Sequence, residues 1–186
     1  YGDVLTANDT AFTADIRELT AWPVDIESPA IRLDNVVNAF SGKGSSVLPG
    51  SLVTLSGTNF GPVDTIDLGL NSRTDLPKEL GGTRVLFNGR PAPIFATSWS
   101  RIVCVAPYGL VGEVGIQVEF EGMRSNPVVT AVGGNFGLLT RNFPDLPSSW
   151  KSVQEGNVRN ADDTPNSAGN PARPGSTFYV FATGFT

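Results

Sequence analysis

From Leu52 onward the chain alternates between short apolar runs and clusters of turn residues. Leu52-Val53-Thr54-Leu55-Ser56-Gly57-Thr58-Asn59-Phe60 is rich in β-branched and apolar residues, with Pro49-Gly50 before it and Gly61-Pro62 after it, which predicts a strand. Thr83–Phe87 runs into Asn88-Gly89, a dipeptide that takes positive φ readily and so favours a two-residue hairpin turn. Pro91 and Pro93 follow, then strand-like runs at Ile94–Trp99 and Arg101–Ala106. Along Val114–Glu121 the residues Val114, Ile116, Val118 and Phe120 fall on one face and Gln117, Glu119 and Glu121 on the other. That alternation fits a sheet with one buried side. Glu121-Gly122-Met123-Arg124 reads as a further turn, and Val128–Val132 closes the series. Short strands with turn signals every 8–12 residues point to a β-sandwich.

Two stretches stand outside this pattern. Thr10–Ala21 is compatible with a short helix capped by Asp9 or Thr10, and equally with two irregular strands. Phe143–Pro174 carries five prolines among many Asn, Asp, Ser and Gly residues and reads as loop. Glycine (21) and proline (14) are abundant in the 186 residues, which suits strands and turns better than helices. No apolar run approaches the roughly 18–20 residues of a membrane-spanning helix. The net charge of −5 resides entirely in residues 1–34, which hold seven acids and two bases, whereas the rest of the chain is balanced. This marks the N-terminal segment as compositionally distinct, and an acidic chain without a basic cluster is a poor ligand for nucleic acid. The chain opens at Tyr1 without a charged, then apolar leader, which is expected of an excised fragment or of a protein whose leader has been removed.

Catalytic chemistry finds little to use. There is no histidine, which removes Ser-His-Asp and Cys-His catalysis, the HExxH zinc site and every histidine pH switch. Cys104, the single cysteine, lies in an apolar run and reads as a small buried hydrophobe. Glu119 and Glu121 share a face, but same-face carboxylates two apart on a strand are ordinarily a solvated surface. Asp162-Asp163-Thr164-Pro165-Asn166 offers oxygen ligands without EF-hand spacing, so a plain turn is expected. Gly133–Gly137 is not GxGxxG and reads as a hinge between modules. Asn8-Asp9-Thr10 fits the glycosylation sequon. Trp22, Trp99 and Trp150 are scattered, which suits core or module contacts better than a sugar-stacking platform. No catalytic, cofactor-binding or metal-binding residue is expected.

The most informative feature is an internal repeat. Pro49-Gly50-Ser51 and the run to Phe60 recur, without a gap, as Pro174-Gly175-Ser176 and the run to Phe185. Upstream, Asn38-Ala39 is echoed by Asn166-Ser167-Ala168. The first copy is followed by about seventy residues of further strands and the second by Thr186 alone, so the second module is expected to lack most of its strands. A strand left alone cannot bury its apolar face, and its free backbone groups invite another chain. Truncation, completion by the chain's own N-terminal segment and completion by a neighbouring subunit all remain open at this point.

Several of these motifs resemble a known family. Val36-Val37-Asn38-Ala39, the Pro49–Phe60 strand, Leu76–Val85, Asn88-Gly89-Arg90-Pro91-Ala92-Pro93-Ile94-Phe95 and Val105-Ala106-Pro107-Tyr108 look like an Ig-like, IPT/TIG-related module of large secreted bacterial proteins. Gly156–Gly184 resembles the start of the companion module that follows it, through Asn166–Ser176 and Phe181-Ala182-Thr183-Gly184. The resemblance implies an all-β chain: an Ig-like β-sandwich over 35–132, preceded by an acidic segment over 1–34. A linker and an incomplete second β module would then occupy 133–186. It also implies a secreted or cell-surface location and no active site. The expected function is therefore a non-catalytic extracellular structural protein, a subunit that self-assembles into a surface fibre by β-strand exchange. The residues expected to carry it are Val4, Leu5, Trp22, Val24 and Ile26 as donors and Phe178 and Val180 on the open second module. The alternative is an adhesin or glycan-binding accessory module using Trp99 or Trp150.

Overall fold

The computed structural model of the chain describes residues 30–44, 46–69, 75–134, 136–139 and 158–184, and its regular structure there is entirely β. One sheet takes β1 (Arg32–Asn38), β3 (Leu52–Thr58), β8 (Arg101–Val105), β7 (Ile94–Thr97) and β4 (Ile66–Asp67) in that order. The other takes β2 (Ser46–Val47), β11 (Val128–Val132), β9 (Glu113–Phe120), β5 (Thr83–Phe87) and β6 (Arg90–Pro91), with β10 (Met123–Arg124) paired to β9. All pairings are antiparallel except β2 with β11. Two ribbons follow: β12 (Gly137–Leu138) with β15 (Ala182–Thr183), and β13 (Val158–Asn160) with β14 (Phe178–Val180).

The two large sheets face each other across one apolar core. From β9, Val114, Ile116 and Val118 enter it, as the alternation predicts. Val53 and Leu55 of β3, Ile102 and Cys104 of β8, and the rings of Phe60 and Phe87 meet them there. The core takes in Ile31 and Leu33 as well, so the sandwich begins ahead of the composition boundary at Asp34. β3 and β8 do not alternate in sequence because they are covered on both faces. Leu52 and Val103 point away from the main core into a second apolar cluster with Ala39, Phe40, Ala96 and Leu139.

Local turn chemistry agrees with the sequence. Asn88 (φ 48°) and Gly89 (φ 78°), and likewise Glu121 (φ 49°) and Gly122 (φ 82°), are left-handed pairs as a type I′ hairpin requires. Buried hydroxyls join the sheets: Thr97 donates to Thr83 Oγ1 at 3.1 Å, and Thr83 donates to the Phe60 carbonyl at 2.8 Å. At the irregular register between Leu33 and Asn35, Asn126 reaches across from the other sheet. It accepts from Leu33 N at 3.0 Å and donates to Leu33 O at 2.9 Å, standing in for a neighbouring strand.

Three expectations need correction. β7 ends at Thr97, where Ser98 turns back by donating both its N–H (2.8 Å) and its hydroxyl (3.2 Å) to Arg101 O, so Trp99 lies in a turn. β9 ends at Phe120, and Glu121 sits in the left-handed turn, so it does not share a strand face with Glu119. Phe143–Pro174 is not loop throughout, because Val158–Asn160 is a strand. The alternatives for Thr10–Ala21 lie outside the described residues. Among the described residues no helix is long and apolar enough to cross a membrane.

Candidate interaction edge on the second hairpin

The repeat seen in sequence is a repeat of structure. Leu48-Pro49-Gly50-Ser51 and Arg173-Pro174-Gly175-Ser176 form the same turn, with Pro at its second position and a left-handed Gly (φ 73° and 83°) at its third. In each the serine N–H donates to the carbonyl three residues back (3.0 and 2.9 Å). In each the serine hydroxyl donates to that same carbonyl, at 2.7 Å in both.

The pairing on either side of the turn is also shared. In the sandwich Val36, Val37 and Asn38 pair with Leu55, Thr54 and Val53. In the second hairpin Val158, Arg159 and Asn160 pair with Val180, Tyr179 and Phe178. Shifting the first set of partners by the 125 residues of the repeat gives the second set, residue for residue. Asn38 and Asn160 each end their strand in a tight turn whose closing residue is left-handed, Gly42 (φ 65°) and Asp163 (φ 66°). Each of these donates its N–H to the asparagine carbonyl at 2.9 Å. The structural counterpart of Val36-Val37-Asn38-Ala39 is thus Val158-Arg159-Asn160-Ala161, not the expected Asn166-Ser167-Ala168. The signal was present as Val-x-Asn-Ala in both copies, offset by 122 residues rather than 125 because the second turn-to-strand connection is three residues longer.

The surroundings of the two hairpins differ. Val53 and Leu55 are 1% and 0% exposed, and β8 covers the free edge of β3 through Val53–Cys104, Thr54–Val103 and Leu55–Ile102. Their counterparts Phe178 and Val180 are 55% and 47% exposed, with Tyr179 between them exposed as well. Among the described residues β14 has no strand on its second edge. Phe136, Leu138 and Phe181 are also exposed.

The chain that continues from β14 breaks at Phe181 and docks on the sandwich. β15 pairs with β12, and Leu139 N donates to Phe181 O at 2.9 Å. Leu52 N donates to Thr183 Oγ1 at 2.7 Å, and Leu139 is buried in the second apolar cluster. Gly137 lies directly over the Asn38 side chain, leaving no room for a Cβ. The Gly133–Gly137 stretch therefore ends in a docked strand.

The Ala161–Asn170 connection is held by its own side chains. Asn160 donates to Asn170 O (3.1 Å) and Thr164 Oγ1 (3.3 Å) and accepts from Asn166 Nδ2 (2.9 Å). Asp162 accepts from the Thr164 hydroxyl (2.6 Å) and Thr164 N (3.1 Å), bonds that hold its carboxyl below the usual range. Asp163 pairs with Arg159 at 3.0 Å. These carboxylates are thus engaged with protein donors, as the plain-turn reading expects. Elsewhere Glu119 lies between Arg124 (3.6 Å) and Arg84 (4.0 Å). Cys104 is buried, which pushes its thiol far up and leaves it protonated.

Of the expected interaction residues, Phe178 and Val180 lie on the open hairpin; Val4, Leu5, Trp22, Val24 and Ile26 lie outside the described residues, as does Trp150. Trp99 and Tyr108, both exposed, sit at opposite ends of β8 and share no platform.

Two sheets, antiparallel but for the β2–β11 pair and packed face to face in this order, define an Ig-like β-sandwich. The chain belongs to the IPT/TIG domain family, which matches residues 36–132. Such domains are typically non-catalytic. No curated protein matches the chain significantly.

Proposed function

We propose that this is a non-catalytic extracellular structural protein of bacterial origin that self-associates by β-strand addition at β14. The observation that supports it is the exposure of Phe178 and Val180 at positions whose counterparts, Val53 and Leu55, form the core of the complete module. A strand laid on this edge would satisfy its free backbone groups and cover its apolar side chains. Burying the exposed half of these two side chains and two whole ones from the incoming strand is worth roughly 4–9 kcal/mol. Association costs about 4–15 kcal/mol, so a three-residue edge alone gives reversible, concentration-dependent assembly. The test is light scattering over a concentration series with electron microscopy of the products. Growth in mass that Val180→Glu abolishes supports the reading. A monomer at every concentration overturns it.

A second reading rests on Trp99, whose ring stands exposed in the β7–β8 turn: a glycan-binding accessory module. Glycan-array binding lost in Trp99→Ala would favour it over self-association.

A further inference from the structure

We propose that β12 and β13 are two halves of one strand, the second module's counterpart of β1, and that Leu139, where this strand opens, is the plug that fixes the module on the sandwich. β1 supplies the template. It pairs Arg32 with Thr58 and Leu33 with Gly57, shifts register between Leu33 and Asn35, and resumes with Val36, Val37 and Asn38 on Leu55, Thr54 and Val53. The second module repeats each of these partners 125 residues on. Gly137 pairs with Thr183 and Leu138 with Ala182. Val158, Arg159 and Asn160 then pair with Val180, Tyr179 and Phe178. Between the two sets, Leu139 N donates to the carbonyl of Phe181, the counterpart of Ser56. The Phe178–Thr183 run thus matches β3 at every paired residue, and only its partner strand is interrupted. Two residues separate Leu33 from Val36, whereas nineteen separate Leu138 from Val158. The insertion falls where β1 is already irregular, a place where added residues break no further pairing.

Along this strand the second copy departs from the first in kind at the two positions that touch the sandwich. Arg32, exposed and paired with Asp34, becomes Gly137, which lies over the Asn38 side chain. Asp34 and Asn35, both exposed, give way to Leu139, which is 3% exposed. The surface that buries Leu139 is the outer face of the first sheet, where it clusters with Ala39, Phe40, Leu52, Ala96 and Val103. A polar position has turned apolar because a second surface covers it. Thr183 is the counterpart of Thr58, at one end of β3, and it accepts from Leu52 N at the other end of β3 (2.7 Å). The joint therefore seats the start of one module on the end of the one before. Residues 133–136 alone link β11 to β12. Modules that meet over a small polar surface move freely; the buried Leu139, the close approach at Gly137 and this short link hold these two in one orientation.

The experiment replaces residues 139–157 of the full chain with Asp-Asn, the pair that bridges the same gap in β1. Cross-strand NOEs at Gly137–Thr183 and at Arg159–Tyr179 should both persist, because the two halves lie end to end. Deleting only residues 144–152, which leaves slack for any arrangement, is the folding control. NOEs kept in this control and lost in the full replacement, through misfolding or otherwise, overturn the single strand. Leu139→Asp leaves the insertion in place and tests the plug alone. It should accelerate amide exchange at Leu52 about tenfold or more and keep the Arg159–Tyr179 NOEs. Backbone amide relaxation should then show two modules tumbling separately, where the parent tumbles as one body. Leu52 exchange unchanged in Leu139→Asp, or separate tumbling already in the parent, overturns the role of Leu139.

Discussion

Replacing Gly137 by Ala tests whether the second hairpin is seated on the sandwich in solution. An added Cβ would overlap Asn38 Oδ1, which accepts from Phe40 N at 2.9 Å and Ser41 N at 3.1 Å within the protein. Two responses are open. The Asn38 amide can swing away, stranding two backbone donors at a cost of roughly 1–3 kcal/mol each. Alternatively β12 lifts off, exposing Leu139 for about 1.5–3 kcal/mol and losing the Leu52–Thr183 hydrogen bond for about 0.5–1.5 kcal/mol. The second route costs less, so Gly137→Ala should undock residues 137–139 and 181–183 and leave the sandwich folded. Amide exchange at Leu52 and Leu139 then accelerates about 30-fold, the equivalent of roughly 2 kcal/mol. Gly133→Ala and Gly134→Ala, a few residues upstream with nothing within 4 Å, are the controls and should be neutral or slightly stabilising. If Gly137→Ala exchanges like these controls, the contact with Asn38 does not hold β12 and the reasoning fails.

Gly57→Ala would press a Cβ onto the Arg32 carbonyl and the buried Phe60 ring, and should cost at least about 2 kcal/mol in denaturant unfolding. Asn126→Ala removes both bonds to Leu33 and should cost about 1–3 kcal/mol, with faster exchange at Leu33 N–H. Cys104 should resist thiol reagents at neutral pH in the folded protein and react once denaturant exposes it, because burial disfavours the thiolate. The Asp162 carboxyl, held low by Thr164, contributes order to its loop above the pKa of an unfolded aspartate and loses it as pH falls through the lowered value. Thr164→Val should raise that titration point, as followed by NMR of the Asp162 side chain.

The parts of this protein legible in its sequence are those whose physics is local. Asn88-Gly89 and the two Pro-Gly-Ser turns need particular φ values that only a few residues adopt cheaply, so the residue types announce the geometry. β9 alternates because one of its faces meets the core. The repeat, the sandwich class and the absence of histidine chemistry follow from the chain alone. What depends on residues far apart in sequence was decided only by the tertiary structure. Nothing around Leu52 or Val103 says that their sheet is covered on its outer face, because the cover, Leu139, lies far downstream. The run from Thr177 to Phe185 reads as one strand, yet it divides at Phe181 because its first half pairs with β13 and its second with β12. Phe178 and Val180 carry the same strand pattern as Val53 and Leu55 and differ only in their neighbours. Periodicity states which face a residue takes; burial depends on what other chain comes to lie against that face.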